Sequence, residues 1–294
     1  MSKNKGIRVF YSKVFTKIVF ETFIKGQLVA KSLFERPIPG VEVVEGTPAT
    51  DEEIGGVHAA EYLESVRNGG GNARSNGLGW DEGLFPSVAG STGSLIDAVR
   101  WALATRGIAG ALSSGLHHAR YDRGAGYCVL NGLVIAAVEA LKAGAKRVLI
   151  LDLDAHGGGG TASLIAGMTG IEQVDVSVNT FDSYSDTHNA TQTMANGRNY
   201  LEVVERALDG IVNPTLIDLV ILNMGMDVHE QAGGTRGITT EVVRQREQMV
   251  FAWTRANDIP AAFCLAGGYT AGGVTMDELV DLHRITIETA AAAA

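Results

Sequence analysis

Apolar and polar positions change period repeatedly along the chain, and these changes predict strands that alternate with helices. The clearest strand is the continuous apolar run at 147–154, which is typical of a strand buried on both faces. Shorter apolar runs predict strands at 6–11, 174–178, 217–222 and 261–265. Longer amphipathic stretches predict helices at about 51–66, 87–105, 129–143, 160–168, 195–211, 240–257 and 276–290. No regular pattern is visible at 12–50, and the Gly- and Asn-rich composition of 68–83 predicts a long loop.

The alternation of strands and helices predicts an α/β fold in which a mostly parallel sheet is flanked by helices on both faces. The 294 residues contain no visible linker or repeat, so we predict a single domain over residues 1–294. In sheets of this kind, ligands bind beyond the carboxyl ends of the strands. The polar residues that directly follow each strand are therefore the candidates for a functional site.

Composition and charge narrow the classes of function. The net charge of −9 is ordinary for a globular protein with 46% hydrophobic residues, and without a basic stripe we expect no nucleic-acid partner. The sequence shows neither a signal-peptide pattern nor a run of about 18 apolar residues, so we expect no membrane partner. Cys128 and Cys264 lie in apolar segments, which predicts buried thiols and a cytoplasmic location. Whether the chain forms a homo-oligomer is left open.

Two carboxylates and an imidazole follow the strand at 147–154. Asp152, Asp154 and His156 are spaced two residues apart and so share one face of an extended segment. Helix capping and a surface histidine are the alternative, but carboxylates at the end of an apolar strand are costly unless they are compensated. Asp227 follows the strand at 217–222, where an ordinary polar loop is the alternative. Oxygen and nitrogen donors of this kind suit Zn²⁺, and three protein ligands leave a coordination position for water.

Two further motifs carry groups with acid–base or hydrogen-bonding chemistry. His117 and His118 are adjacent and precede a Gly-rich turn. They suit an acid/base pair beside a metal because the unperturbed imidazole pKa is about 6.5, although a solvated surface pair fits equally well. Tyr269 follows two glycines after the strand at 261–265, so its hydroxyl could reach a developing oxyanion. Taken alone, that motif is more typical of a tyrosine packed over a turn.

Together these segments resemble the histone deacetylase superfamily, which includes the bacterial acetoin-utilisation proteins and the acetylpolyamine amidohydrolases. The motifs that carry the resemblance are, in family order, SGLHHA (114–119), GAGYCVLN (124–131), VLILDLDAHGGGGT (148–161), GMD (225–227) and LAGGY (265–269). The resemblance extends from about residue 50 to about residue 285. It implies an arginase/deacetylase-like fold and a zinc-dependent hydrolase that removes an acyl group, in the first place acetyl, from acyl-lysine, an acylpolyamine or a small acylated metabolite.

The resemblance also implies a role for each matching residue. It implies one Zn²⁺ per chain, held by Asp154, His156 and Asp227. It implies catalysis by the pair His117 and His118, with Asp152 as the residue that orients His117 and with Tyr269 as the residue that polarises the scissile carbonyl.

Further expectations concern the substrate and a second ion. The resemblance implies a structural K⁺ near Asp152 and an acyl channel lined by Tyr127 and flanked by Gly126 and Gly268. Asp81, in the long loop at 68–83, is our candidate for a substrate-contacting rim, with a solvated loop as the alternative.

The chain departs from the family pattern in its run of glycines. Gly157 replaces a second histidine, and Gly159 stands where the family has an Asp or Asn that orients the second histidine of the pair, here His118. His118 is therefore expected to be a weaker base unless another side chain supports it. This departure motivates a second hypothesis, a catalytically impaired acyl-ligand-binding protein that retains zinc. Arginases and agmatinases use an Asp-x-His-x-Asp run for two manganese ions, and Gly158 at the last of these positions favours a single metal.

Overall fold

The computed structural model describes residues 6–14 and 16–294. Within these residues, the strands are β1 (Ile7–Tyr11), β2 (Val41–Glu45), β3 (Ile108–Ala111), β4 (Val148–Asp152), β5 (Ile171–Ser177), β6 (Ala190–Met194), β7 (Leu219–Met224) and β8 (Ala261–Leu265). They form one eight-stranded sheet in the order β2-β1-β3-β8-β7-β4-β5-β6. Every strand pair is parallel, which confirms the predicted sheet.

Helices cover both faces of this sheet. They are α1 (Glu21–Glu35), α2 (Asp51–Gly55), α3 (Ala60–Asn68), α4 (Leu84–Thr105), α5 (Gly132–Lys142), α6 (Gly159–Ile165), α7 (Tyr200–Asp209), α8 (Thr240–Ala256) and α9 (Met276–Ala293). Alternate side chains of one strand enter opposite apolar clusters: Leu149 and Leu151 pack with α1, α7, α8 and α9, whereas Val148 and Ile150 pack with the remaining helices. The sheet is therefore buried on both sides, as its long apolar runs predict.

The segment at 12–50, for which no element was predicted, contains α1 and β2. Strand β2 lies at the edge of the sheet and carries exposed glutamates, so its hydrophobic signal is weak. The helix predicted at about 51–66 is two helices, because the chain leaves the helical conformation between α2 and α3. Thr50 caps the first of them in a reciprocal pair with Glu53.

Besides β2, the two strands β3 and β6 were not predicted from the sequence. Strand β3 has four small or apolar residues, and a side chain at Gly110 would overlap the ring of Phe263. Strand β6, with the sequence ATQTM, is the other edge strand and is largely polar. Short and edge strands bury too little on each face to show a clear period.

The remaining expectations for the whole chain have different outcomes. Both cysteines are buried and unpaired, as predicted. Among residues 6–14 and 16–294, no helix is both long enough and apolar enough to cross a membrane. The single domain over residues 1–294 stays a prediction, and residues 1–5 and 15 lie outside the described part of the chain.

Candidate metal centre and active site

Loops that follow β4 and β7 bring two carboxylates and an imidazole together at the carboxyl edge of the sheet. One ligand atom from each of Asp154, His156 and Asp227 lies within 4.8 Å of the other two. His156 Nδ1 lies 3.1 Å from Asp154 Oδ1 and 3.1 Å from Asp227 Oδ2. In the part of the chain that the structure describes, this is the one group with the spacing of a metal site.

The donor atoms of this group fit a divalent cation. One oxygen of each carboxylate is held by a backbone amide: Gly267 donates to Asp154 Oδ2 at 2.8 Å, and Ala155 donates to Asp227 Oδ1 at 3.1 Å. The other oxygen of Asp227 is buried and has no hydrogen-bond donor in suitable geometry, although His156 Nδ1 lies 3.1 Å away. Burial and the charge of Asp154 raise the pKa of Asp227, which reflects the cost of two adjacent buried carboxylates. A cation would satisfy the unpaired oxygen and offset that repulsion.

The surroundings of Gly158 favour one ion rather than two. A Cβ atom at this position would lie 2.8 Å from Asp152 Oδ2 and 2.8 Å from Gln173 Nε2. A side chain at position 158 would require Asp152 or Gln173 to move, and no carboxylate stands there to bridge a second ion.

His117 is paired with a carboxylate beneath the candidate metal site. Its Nδ1 atom lies 2.9 Å from Asp152 Oδ2, and Asn223 donates to the other oxygen of Asp152 at 2.8 Å. Burial lowers the pKa of His117, but the charges of Asp152 and Asp154 outweigh burial and raise it to about 10. The other ring nitrogen of His117, Nε2, lies 3.6 Å from Oδ1 of the candidate metal ligand Asp154. These carboxylates favour the protonated form of His117.

His118 also has a carboxylate partner, supplied by a loop that the sequence motifs do not include. Its Nδ1 atom lies 2.9 Å from Oδ2 of Asp182, which lies between β5 and β6. Burial and the neighbouring His117 lower the pKa of His118 to about 4, so His118 is neutral near pH 7. The support that Gly159 cannot provide therefore comes from elsewhere in the chain.

An aromatic cleft of about 740 Å³ leads to these groups. Phe20 and Tyr127 form part of its wall, with ring centroids 4.6 Å apart. Phe181 forms another part and meets His118 edge to face at 5.0 Å. A side chain at Gly126 would overlap the His118 ring, so this glycine allows the wall to approach the imidazole.

Tyr269 also lines the cleft, close to the candidate metal ligands. Burial and the charges of Asp227 and Asp154 raise the pKa of Tyr269 above its ordinary value, so the phenol stays protonated and can donate. Lys25 is fully buried near this ring, with Nζ 5.7 Å from the ring centroid, and donates to the Ala266 carbonyl. Burial lowers the pKa of Lys25 to about 8.

The structure brings most of the predicted site residues together. The residues found at the centre or along the cleft are Asp152, Asp154, His156, Asp227, His117, His118, Tyr269, Gly126 and Tyr127. Their roles in binding and catalysis stay predictions.

Two of the predicted substrate contacts, Asp81 and Gly268, are not among the residues that line the cleft. Asp81 accepts hydrogen bonds from Lys17 N at 3.0 Å and Gly83 N at 2.7 Å. Its contact with a substrate stays a prediction. The same loop reaches the cleft through residues 75–77 instead. A side chain at Gly268 would come within 2.8 Å of Leu279. Its place beside the channel stays a prediction.

Sequence reasoning missed Phe20, Lys25, Phe181 and Asp182. The last two follow β5 at the carboxyl edge of the sheet, so the rule of inspecting residues after each strand could have found Asp182. Phe20 and Lys25 belong to a region where no helix was predicted, and their sequence carries no comparable signal.

Comparisons with known proteins cover most of the chain. A family model described as "Histone deacetylase domain" matches residues 20–281. An uncharacterized protein of Picosynechococcus sp. is 28% identical over 229 residues, which are 72% of this chain and 74% of that protein. Histone deacetylase 2 of Arabidopsis thaliana is 26% identical over 264 residues, 82% of this chain and 67% of that protein. The acetoin utilization protein AcuC of Staphylococcus aureus is 32% identical over 134 residues, 41% of this chain and 34% of that protein.

Solved structures share the fold at low sequence identity. The HD domain of HDA15 superposes with a TM-score of 0.76 at 17% identity, covering 98% of this chain and 89% of that chain. The acetylpolyamine aminohydrolase of Burkholderia pseudomallei gives 0.75 at 19% identity, covering 97% and 99% respectively. These likenesses establish the arginase/deacetylase-like fold.

Proposed function

The chain belongs to the histone deacetylase superfamily, and we propose that it is a zinc-dependent amidohydrolase that removes an acyl group, in the simplest case acetyl, from an amine. The family itself supports a deacetylase or amidohydrolase as the class of enzyme. The observation that carries the finer proposal is the convergence of Asp154, His156 and Asp227 beside a histidine pair at the end of an aromatic cleft.

One divalent cation, Zn²⁺, would be held by Asp154, His156 and Asp227. When bound, such an ion lowers the pKa of an attacking water and polarises an amide carbonyl. The mixed set of two carboxylates and one imidazole matches the donors that zinc uses in catalytic sites.

The two histidines have environments that separate their protonation states. The lowered pKa of His118 keeps its imidazole uncharged near pH 7. Because Nδ1 faces Asp182, the Nε2 atom remains available to accept the proton of an attacking water. Carboxylates around His117 favour its charged form. Neighbouring groups whose pKa values are pushed apart suit a division into base and acid, so we assign His118 as the base and His117 as the cationic partner.

Tyr269 supplies the oxyanion donor in this proposal. The pKa of its phenol is raised, so the hydroxyl keeps its proton at neutral pH. A protonated donor close to the carbonyl of a bound amide stabilises negative charge as it develops on the oxygen.

The cleft favours an acyl group carried on an unbranched apolar chain. Rings of Phe20, Tyr127 and Phe181 form its walls, and His118, His156 and Tyr269 also line it. Acyl-lysine and acylpolyamines both present an amide at the end of such a chain. These are the substrate classes that we propose to test first.

The alternative of an impaired acyl-ligand-binding protein rested on a missing partner for His118. Asp182 supplies that partner at 2.9 Å, so this ground for the alternative is absent. K⁺ near Asp152, a cytoplasmic location, a homo-oligomer and the absence of nucleic-acid and membrane partners stay predictions.

The experiment is a substrate panel run on zinc-loaded and metal-stripped protein. It contains acetyl-, trifluoroacetyl- and longer acyl-lysine substrates together with acetylpolyamines. We expect turnover of at least one member by the zinc-loaded protein, and its loss after chelation. Tight hydroxamate binding without any turnover above the stripped control would instead support the ligand-binding alternative.

A further inference from the structure

The loop between β5 and β6, residues 178–189, occupies the space above the glycine run that departs from the family pattern. Gly157 N donates to Phe181 O at 3.0 Å, and Gly159 N donates to Asp182 O at 3.1 Å. A Cβ atom at Gly157 would lie 2.7 Å from Asp182 O. A Cβ atom at Gly159 would overlap the same oxygen and lie 2.6 Å from Asp182 Oδ1. The 178–189 loop therefore occupies the space that side chains at positions 157 and 159 would need.

The carboxylate of Asp182 is held in a defined position. Its Oδ1 atom accepts from the guanidinium of Arg120, which also donates to Gly159 O at 3.0 Å. Its Oδ2 atom accepts from Gly160 N at 3.1 Å and lies 2.9 Å from His118 Nδ1. With both oxygens fixed, the carboxylate presents one lone-pair direction to the imidazole.

Backbone geometry at Asp182 supports a specific requirement for this side chain. Its φ of 54° lies in the left-handed region, which is unfavourable for most residues but better tolerated by Asp and Asn. A conformation of this kind persists only where surrounding contacts hold it. Here the contacts are those with Gly159, Gly160 and Arg120.

We propose that Asp182 is the positioning residue for His118, supplying from the 178–189 loop the carboxylate that the family pattern places at position 159. The inference rests on the proposed function, in which His118 is the base. By accepting from Nδ1–H, Asp182 selects the tautomer with a bare Nε2 and fixes the ring orientation. Phe181 reinforces this orientation because its ring packs edge to face against His118 and His156, with centroids 5.0 Å and 5.8 Å away.

The test compares Asp182→Ala and Asp182→Asn with Asp186→Asn. Asp186 lies in the same loop, is exposed, and accepts from Gln192 N at 2.9 Å rather than from a site residue. For each zinc-loaded protein, kcat and KM are measured on the best substrate of the panel. Long-range ¹⁵N–¹H correlation spectra then show which His118 ring nitrogen carries the proton.

For Asp182→Ala we expect kcat to fall about 10²-fold or more, with KM changed by less than about threefold, because a general base contributes about 10²–10⁴ to the rate. His118 should become a mixture of tautomers. Asp182→Asn retains a carbonyl that can accept from Nδ1–H, so it should keep the tautomer and show an intermediate kcat. Asp186→Asn should match the wild type in both measurements.

Two outcomes would overturn the proposal. One is a single Nδ1–H tautomer of His118 in Asp182→Ala together with wild-type kcat. The other is an equal loss of kcat in Asp182→Ala and Asp186→Asn, which would indicate that any change in the loop lowers activity. If the wild-type protein turns over no substrate, the proposed function fails, yet the tautomer measurement still decides whether Asp182 positions His118. If Asp182→Ala does not fold, the comparison of the near-isosteric Asp182→Asn with Asp186→Asn decides instead.

Discussion

The Nδ1 atom of His117 lies 2.9 Å from the Oδ2 atom of Asp152, and both side chains are buried, with 6% and 0% exposed. The other carboxylate oxygen of Asp152, Oδ1, accepts hydrogen bonds from Asn223 Nδ2 and from Asp154 N. Asp152 therefore receives hydrogen bonds on both oxygens, and only a carboxylate can accept all of them. This requirement connects the end of strand β4 to the protonation state of His117.

Asp152→Asn should reduce kcat by about 10²–10³, within the range attributed to general acid–base groups. If the new amide oxygen faces His117, the NH₂ group faces the donors Asn223 Nδ2 and Asp154 N. If the NH₂ group faces His117 instead, it reverses the tautomer of His117. Zinc content should stay near that of the wild type, because the three metal ligands are unchanged. Steady-state kinetics and elemental analysis check both statements, with the exposed Asp209→Asn as the control. A kcat within twofold of the wild type would remove Asp152 from the mechanism.

Tyr269→Phe should retain zinc and lose about 10²–10³ in kcat, the usual cost of one oxyanion donor. Tyr121→Phe is the control, since that tyrosine is exposed and is not among the residues that line the cleft. We expect near-normal turnover for the control. Wild-type turnover by Tyr269→Phe, on a substrate that the enzyme accepts, would show that the hydroxyl takes no part.

Gly159→Asp restores the family residue but should lower both activity and stability. The new Cβ atom would overlap the Asp182 carbonyl, so the 178–189 loop would have to move away from His118. Overpacking of this kind costs about 1–3 kcal/mol. Denaturant unfolding and turnover measure the two effects. Gly55→Ala is the control, because no atom lies within 4 Å of its added Cβ. A gain in activity from Gly159→Asp would contradict the placement of Asp182 beside His118.

The parts of the fold that were predictable are those in which burial is strong. Strand β8 matches its predicted bounds and β4 lies within its predicted run, because both are buried on both faces and read as continuous apolar segments. Edge strand β6 and the short β3 lack that signal. Helix α1 was missed partly because a lysine, Lys25, occupies one of its fully buried positions.

The candidate site shows the same contrast between local and long-range information. Asp154 and His156 are two residues apart, so their convergence follows from strand geometry, and Asp227 follows from the rule for parallel sheets. Asp182 is 64 residues from His118, and no local period connects them. The sequence could indicate that Gly159 leaves a carboxylate missing, but only the packed loop reveals which residue replaces it.

Acid should destabilise the protein partly through His58, which is buried away from the catalytic centre. Its Nδ1 atom donates to Arg120 O at 2.9 Å and its Nε2 atom accepts from Asn131 N at 2.9 Å, so the neutral ring is fully used. Burial lowers the pKa of His58 to about 4. The unfolded chain, with a histidine pKa of about 6.5, takes up the proton first, so stability present above that pH is lost as pH falls toward 4.

The expected contribution of His58 is roughly 2 kcal/mol of unfolding free energy between about pH 7.5 and about pH 5. Urea unfolding at these two pH values measures it. His58→Gln can keep a donor and an acceptor but does not titrate, so its pH dependence should be smaller by that amount. His188→Gln, at an exposed position, should behave as the wild type. An unchanged pH dependence in His58→Gln would contradict the assignment.

The most direct test of the central claim is a zinc titration of metal-stripped protein, followed by release of the free amine from the best substrate. We predict no turnover without metal, a rise with added zinc that ends at one ion per chain, and no rise in Asp227→Asn, which retains Asp154 and His156. Full turnover without metal, or a rise that continues to two ions per chain, would contradict a single catalytic zinc held by Asp154, His156 and Asp227.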